Sequence, residues 1–148
     1  SKELEGYTTR IFVSFLTPYR KVLKRFKERN IEFVDLNYGE RKDLLLNIYE
    51  IVKSRGMELH TCAEPFYDER IISGSCIDPS VPYPYLKDDP VFQEYMRNSG
   101  KDRGQRKLCR CWESVDIGFY NTCPFLCTYC YAHDGEKRLK KAIKVYKE

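Results

Sequence analysis

Arg10-Ile-Phe-Val-Ser-Phe-Leu16 is the stretch on which the fold turns. It is nearly continuous in apolar, β-forming residues, the pattern of a strand buried on both faces of a parallel sheet. Immediately after it, Thr17 suits a helix N-cap and Pro18 the first helical position. That predicts a helix to about Arg29 with Val22, Leu23 and Phe26 on one face, ended by Asn30. Residues 31–36 repeat the strand pattern. A second helix over 41–55 carries Leu44, Leu45, Ile48, Ile51 and Val52 at helical spacing, with Gly56 at its end. Met57-Glu-Leu-His-Thr-Cys62 then alternates as a third strand. The order β-α-β-α-β with short connections predicts an α/β fold of parallel strands covered by helices through right-handed crossovers. Half of a TIM-like barrel is one architecture such alternation builds.

Beyond Cys62 the regularity stops. Pro65, Gly74, Pro79, Pro82 and Pro84 interrupt residues 63–89, so long elements are not expected there. A short helix is expected over 89–98 and a polar, basic loop over 99–105. A basic helix over 136–147 has Leu139, Ala142, Ile143 and Tyr146 on one face. At 148 residues, 42% hydrophobic and 32% charged, the chain reads as one domain. Within it, 1–64 is a β/α framework and 65–107 an irregular connection. Residues 108–133 are a cysteine-rich segment and 134–148 the basic helix. Loops after the carboxyl ends of parallel strands are where such folds bind ligands.

The chain shows no apolar run long enough to span a membrane and no secretory leader, so a cytoplasmic protein is expected. Its opening at Ser1 suggests part of a longer protein. Seven cysteines in that setting argue against a disulfide scaffold and for thiols available to metals. The net charge of +4 is mild, but its distribution is uneven. Residues 97–110 hold six basic side chains (Arg97, Lys101, Arg103, Arg106, Lys107 and Arg110) against one acid, Asp102. They can offset thiolate ligands and an anionic cofactor, or contact nucleic-acid phosphates, the minority reading without a recognisable nucleic-acid module.

The chemistry concentrates in Cys123, Cys127 and Cys130, spaced C-x3-C-x2-C. Three thiolates this close can converge on one iron–sulfur cluster and leave one iron without a protein ligand. Zinc remains an alternative. It favours four ligands in close pairs, so Cys127 and Cys130 with two of Cys109, Cys111 and Cys123 form a plausible non-catalytic module. Cys109 and Cys111 are thus candidate ligands to the same site or a second one, or are packed thiols. Cys62 ends the third expected strand, where a side chain can face a site, but a lone cysteine there more often packs; Cys76 is a weaker candidate still. Asp116 either bonds its own loop backbone or contacts a ligand. Gly118 is expected to supply a backbone conformation that other residues avoid. His60 and His133 can serve as ligands or acid/base groups, but read first as core or solvent-facing, and Glu64 reads as a polar site contact or a helix N-terminal carboxylate.

Cys62-Ala-Glu64, Cys76-Ile-Asp78, Gln105-Arg106, Cys109-x-Cys111, Ser114-x-Asp116-Ile-Gly118, Tyr120 and Cys123-x3-Cys127-x-Tyr-Cys130-Tyr-Ala132 form a distinctive set. Together with the Ser-Phe and Tyr-Arg-Lys of residues 11–21, it resembles the bacterial family called domain of unknown function eighteen-forty-eight. That family's C-terminal cysteine cluster is similar to the one at the start of radical S-adenosylmethionine enzymes. The resemblance implies a [4Fe–4S] cluster on Cys123, Cys127 and Cys130, with S-adenosylmethionine at the open iron. It also matches Tyr129 to the aromatic residue before the third cysteine. It further implies an electron donor and an unidentified small-molecule or macromolecular substrate. In radical enzymes most of a barrel follows the motif, whereas only a short helix follows here. The resemblance also implies an N-terminal half, carried by members of that family, that is expected to supply further β/α units.

Overall fold

The first and third expected strands pair with each other. β1 (Arg10–Val13) runs parallel to β2 (Glu58–Thr61), with Arg10 opposite Glu58 and Val13 opposite Thr61. β3 (Ile72–Ser73) continues the sheet on the other side of β2, also parallel, with His60 opposite Ile72. The result is an open three-stranded parallel sheet in the order β1-β2-β3. This computed structural model describes residues 2–115 and 117–145, and side-chain surroundings over 3–115 and 117–141. Among the described residues the sheet does not close into a barrel.

The strand expected at 31–36 does not form. Its first residue instead helps to close α1 (Arg20–Glu28). Asn30 takes a left-handed φ of 53°, its N–H donates to the Lys27 carbonyl at 3.2 Å, and the Ile31 N–H donates to the Phe26 carbonyl at 2.9 Å. That pair of bonds closes a helix. Phe33 stacks on Phe26 with centroids 6.0 Å apart, while Ile31 and Val34 stay exposed. An apolar stretch becomes a strand where neighbours accept it, and this one packs on its own helix. The expected β-α-β-α-β order is therefore two helices between β1 and β2, then β3. α1 also begins later than Thr17 and Pro18 suggested, with Tyr19 as an N-cap that makes no side-chain bond.

α2 (Tyr38–Lys53) starts earlier than expected because Asn37 and Glu40 form a capping box. The Glu40 N–H donates to Asn37 Oδ1 at 3.1 Å, and the Asn37 N–H to Glu40 Oε2 at 2.8 Å. Gly56 ends it at a φ of 68°, with its N–H on the Lys53 carbonyl and that of Met57 on the Val52 carbonyl. The buried face of α2 contributes Leu45 and Val52 to a core with Met57, Leu59, Tyr67 and Ile71, against which Ile11, Val13 and Phe15 pack. Burying each large aliphatic side chain there contributes about 2 kcal/mol.

Two compact units divide the chain. The first, residues 1–15 and 36–114, holds the sheet, α2, α3 (Tyr83–Leu86) and α4 (Pro90–Asn98). α4 has the expected start: Pro90 leads it and the Asp89 carboxylate accepts the Phe92 N–H at 2.8 Å. The second, residues 16–35 and 115–148, holds α1 and α5 (Glu136–Val145), with Val22, Phe26 and Leu139 buried. Ala142, Ile143 and Tyr146 of the expected α5 face lie outside the described side chains. Among the described residues no helix is long and apolar enough to cross a membrane.

Candidate metal centre

Three cysteines far apart in sequence meet in the first unit. Cys62 directly follows β2, and its N–H donates to the Val13 carbonyl at 3.1 Å, carrying the ladder one residue past the strand. Ala63 then turns the chain with a φ of 57°. Cys76 follows β3 by three residues. Cys111 is delivered by an irregular segment that the Trp112 N–H ties to the Ile77 carbonyl at 3.1 Å, while the Cys111 carbonyl accepts the Asp102 N–H at 2.9 Å. The sulfurs of Cys62, Cys76 and Cys111 all lie within 4.8 Å of one another, those of Cys62 and Cys111 3.8 Å apart. Cys62 and Cys111 are buried and Cys76 is exposed, so the group reaches the surface through Cys76. Cys109, also buried, packs beside them, and its sulfur accepts the Cys111 N–H at 3.4 Å.

The four thiols differ in how readily they ionise. Burial, reinforced by hydrogen bonding with Cys76, pushes Cys62 up from 9.0 to about 11. Burial likewise raises Cys76 and Cys109. Burial also pushes Cys111 upward, but hydrogen bonds from the Ile77 backbone, the Cys109 and Cys62 thiols and the Cys76 backbone outweigh it, leaving Cys111 below its ordinary value. Of the four, Cys111 therefore gives up its proton most readily, and the thiolate is the form that ligates metals. A set of soft sulfur donors at this spacing can hold a metal ion.

Cys123, Cys127 and Cys130 belong to the second unit. Cys123 is exposed and the other two are half-buried. The Cys130 N–H donates to the Cys127 carbonyl at 3.0 Å, and the Ala132 N–H to the Cys130 sulfur at 3.3 Å. Arg25 of α1 donates to the carbonyls of both Cys127 and Cys130 and meets the buried His133. His133 Nε2 lies 2.9 Å from the Cys127 carbonyl, and the Gly135 N–H donates to Nδ1 at 3.2 Å. A hydrogen bond to the Cys127 side chain raises the pKa of Tyr129. Among the described residues, these three sulfurs are not gathered as closely as those of Cys62, Cys76 and Cys111. A cluster with several irons attaches each cysteine to a different iron, so it does not require such closeness.

The remaining sequence candidates are distributed as follows. Of the cysteines considered for zinc, Cys111 joins Cys62 and Cys76, with Cys109 alongside, while Cys123, Cys127 and Cys130 belong to the other unit. Asp116 lies outside the described residues. Gly118 lies outside the left-handed region, and a Cβ there would meet nothing within 4 Å, so the expected backbone demand is absent. It lines a shallow cavity of about 180 Å³ with Phe119, Tyr120, Tyr131 and Ala132. Glu64 is buried and receives the Phe15 N–H at 2.8 Å and the Tyr67 hydroxyl at 3.2 Å, with Arg41 at 3.7 Å. His60 is buried, its ring tilted against that of Phe12, and lies 3.1 Å from Glu58. Sequence reasoning undervalued Cys62 and Cys76. Their usable signal was position, since both sit in the first irregular residues beyond a parallel strand.

Fold and site together define an α/β protein with a cysteine-built centre able to hold a metal. A family model described as domain of unknown function (DUF1848) matches residues 1–132 and so spans every cysteine. The chain belongs to that family. Comparisons with the curated proteins and with solved structures found no match.

Proposed function

We propose that the chain is a metalloprotein with two thiolate sites. One holds a metal on Cys62, Cys76 and Cys111, and the other a [4Fe–4S] cluster on Cys123, Cys127 and Cys130. The observation that carries the reading is the convergence of three thiol sulfurs within 4.8 Å at the carboxyl ends of β2 and β3. Support for the second site comes from its C-x3-C-x2-C spacing and from the Ala132 N–H bonded to the Cys130 sulfur. Hydrogen bonds to the ligand sulfurs tune an iron–sulfur centre. Arg25 adds a brace by holding the carbonyls of Cys127 and Cys130 together.

A cluster on three cysteines supplies electrons and an open iron, the arrangement that supports radical chemistry with S-adenosylmethionine. In that role Cys123, Cys127 and Cys130 ligate, Arg25 and His133 fix the loop, and Tyr129 borders the ligands. An electron donor and a small-molecule or macromolecular substrate complete the proposal. Nucleic-acid binding has less support. Lys101, Arg106 and Arg110 of the basic stretch each donate to the protein itself, to Lys107, Ser14 and Ser73 respectively.

Oxygen-free purification with measurement of iron, acid-labile sulfide and zinc tests both sites. Cys127→Ala is expected to remove iron and sulfide, and Cys111→Ala to remove a separate metal. A protein that binds no metal under these conditions contradicts the proposal.

A further inference from the structure

The spacing of the sulfurs in the first unit distinguishes a single ion from a cluster. In a tetrahedral thiolate site with zinc–sulfur bonds of about 2.3 Å, the ligand sulfurs lie roughly 3.8 Å apart. Cys62 and Cys111 are already at 3.8 Å, and Cys76 stands within 4.8 Å of both. A multi-iron cluster places bridging sulfides between its irons and spreads its cysteines further apart. The pocket among these three sulfurs fits one ion.

A tetrahedral ion needs a fourth donor. Among the described residues, no histidine or carboxylate joins the group. Cys109 is 4% exposed and packs with Cys62 and Cys111 in one cluster. Its sulfur accepts the N–H of Cys111 two residues on, at 3.4 Å. It stands outside the set of three, on an irregular segment of the chain. Arg110 lies between the two cysteines of this C-x-C pair and Arg106 and Lys107 precede it, a local positive charge suited to four thiolates around a divalent ion.

Building on the first of the two metal sites, we infer that Cys62, Cys76, Cys109 and Cys111 form a closed, four-thiolate site for a single zinc-class ion. Closure by four protein ligands is the mark of a structural rather than a catalytic zinc site. The ion would fasten the segment carrying Cys109 and Cys111 to the ends of β2 and β3.

The test uses full-length protein in which Cys123, Cys127 and Cys130 are all changed to Ala, so that metal reports on this site alone. After loading with zinc, X-ray absorption is expected to show four sulfur neighbours. Cobalt(II) loading is expected to give the intense visible bands of a tetrahedral tetrathiolate. Adding Cys109→Ser is expected to lower the sulfur count to three, with one oxygen taking the fourth place. Zinc is further expected to protect Cys109 from alkylation together with Cys62, Cys76 and Cys111, a readout that needs no additional variant. The inference is overturned if Cys109→Ser keeps four sulfurs, if the parent shows three sulfurs and an oxygen, or if metal–metal scattering appears. Failure to bind zinc or cobalt at all overturns the metal-site reading on which it rests.

Discussion

Cys62 and Cys111 stand 3.8 Å apart, yet their surroundings drive them in opposite directions. Burial holds the proton on Cys62, whereas converging hydrogen bonds help remove the one on Cys111. For Cys62 the shift has a stability consequence. Between 9.0 and about 11, the folded state retains a proton that the unfolded state has released. Its contribution is complete below 9.0 and is lost as pH rises toward about 11. Metal-free protein held in chelator is expected to lose denaturant resistance across that window, and Cys62→Ala to flatten the decline. An equally steep decline in the variant would show that the proton belongs elsewhere. Glu64 acts at the same scale. Its carboxylate takes the Phe15 N–H and the Tyr67 hydroxyl and faces Arg41. Glu64→Ala leaves these groups without that partner and is expected to cost roughly 3 kcal/mol in chemical unfolding, with Glu64→Gln costing less.

The elements owe their limits to a few local devices. Asn37→Ala removes one half of the capping box and is expected to cost about 1 kcal/mol, read as a lower denaturant midpoint. Gly74 follows β3, and its N–H donates to the Thr61 carbonyl at 2.9 Å. A Cβ at Gly74 would come 2.7 Å from His60 Nδ1 and 3.0 Å from Phe12 Cε1. The His60 ring is buried against Phe12 and cannot yield freely, so Gly74→Ala is expected to cost about 1–3 kcal/mol by overpacking. An unchanged midpoint in either variant would contradict these accounts. β1, β2 and α4 were legible in sequence because apolar runs, caps and a leading proline act within a few residues. The absent strand at 31–36 was not, because pairing depends on a neighbour that composition does not reveal. For the same reason the Cys123, Cys127 and Cys130 spacing could be read directly, while the Cys62–Cys111 pair could not. Forty-nine positions separate those two, and the irregular segment tied to Ile77 brings Cys111 to the end of β2.

For the molecule as a whole, the sheet-bearing unit owes its order to the α2 core and, on the present account, to the ion at its cysteine centre. A ligand bound only by the folded state stabilises by mass action, about 2.7 kcal/mol at a hundredfold excess over its Kd. Chelation is therefore expected to lower the Tm of the protein and zinc to restore it. The triplet in the second unit is a separate proposal and can fail without the first. The most direct test of the central claim is the metal content of oxygen-free wild-type protein beside that of Cys111→Ala. Cys111→Ala is expected to lose one metal ion per chain while iron and sulfide stay at wild-type levels. Full retention of every metal by that variant would contradict it.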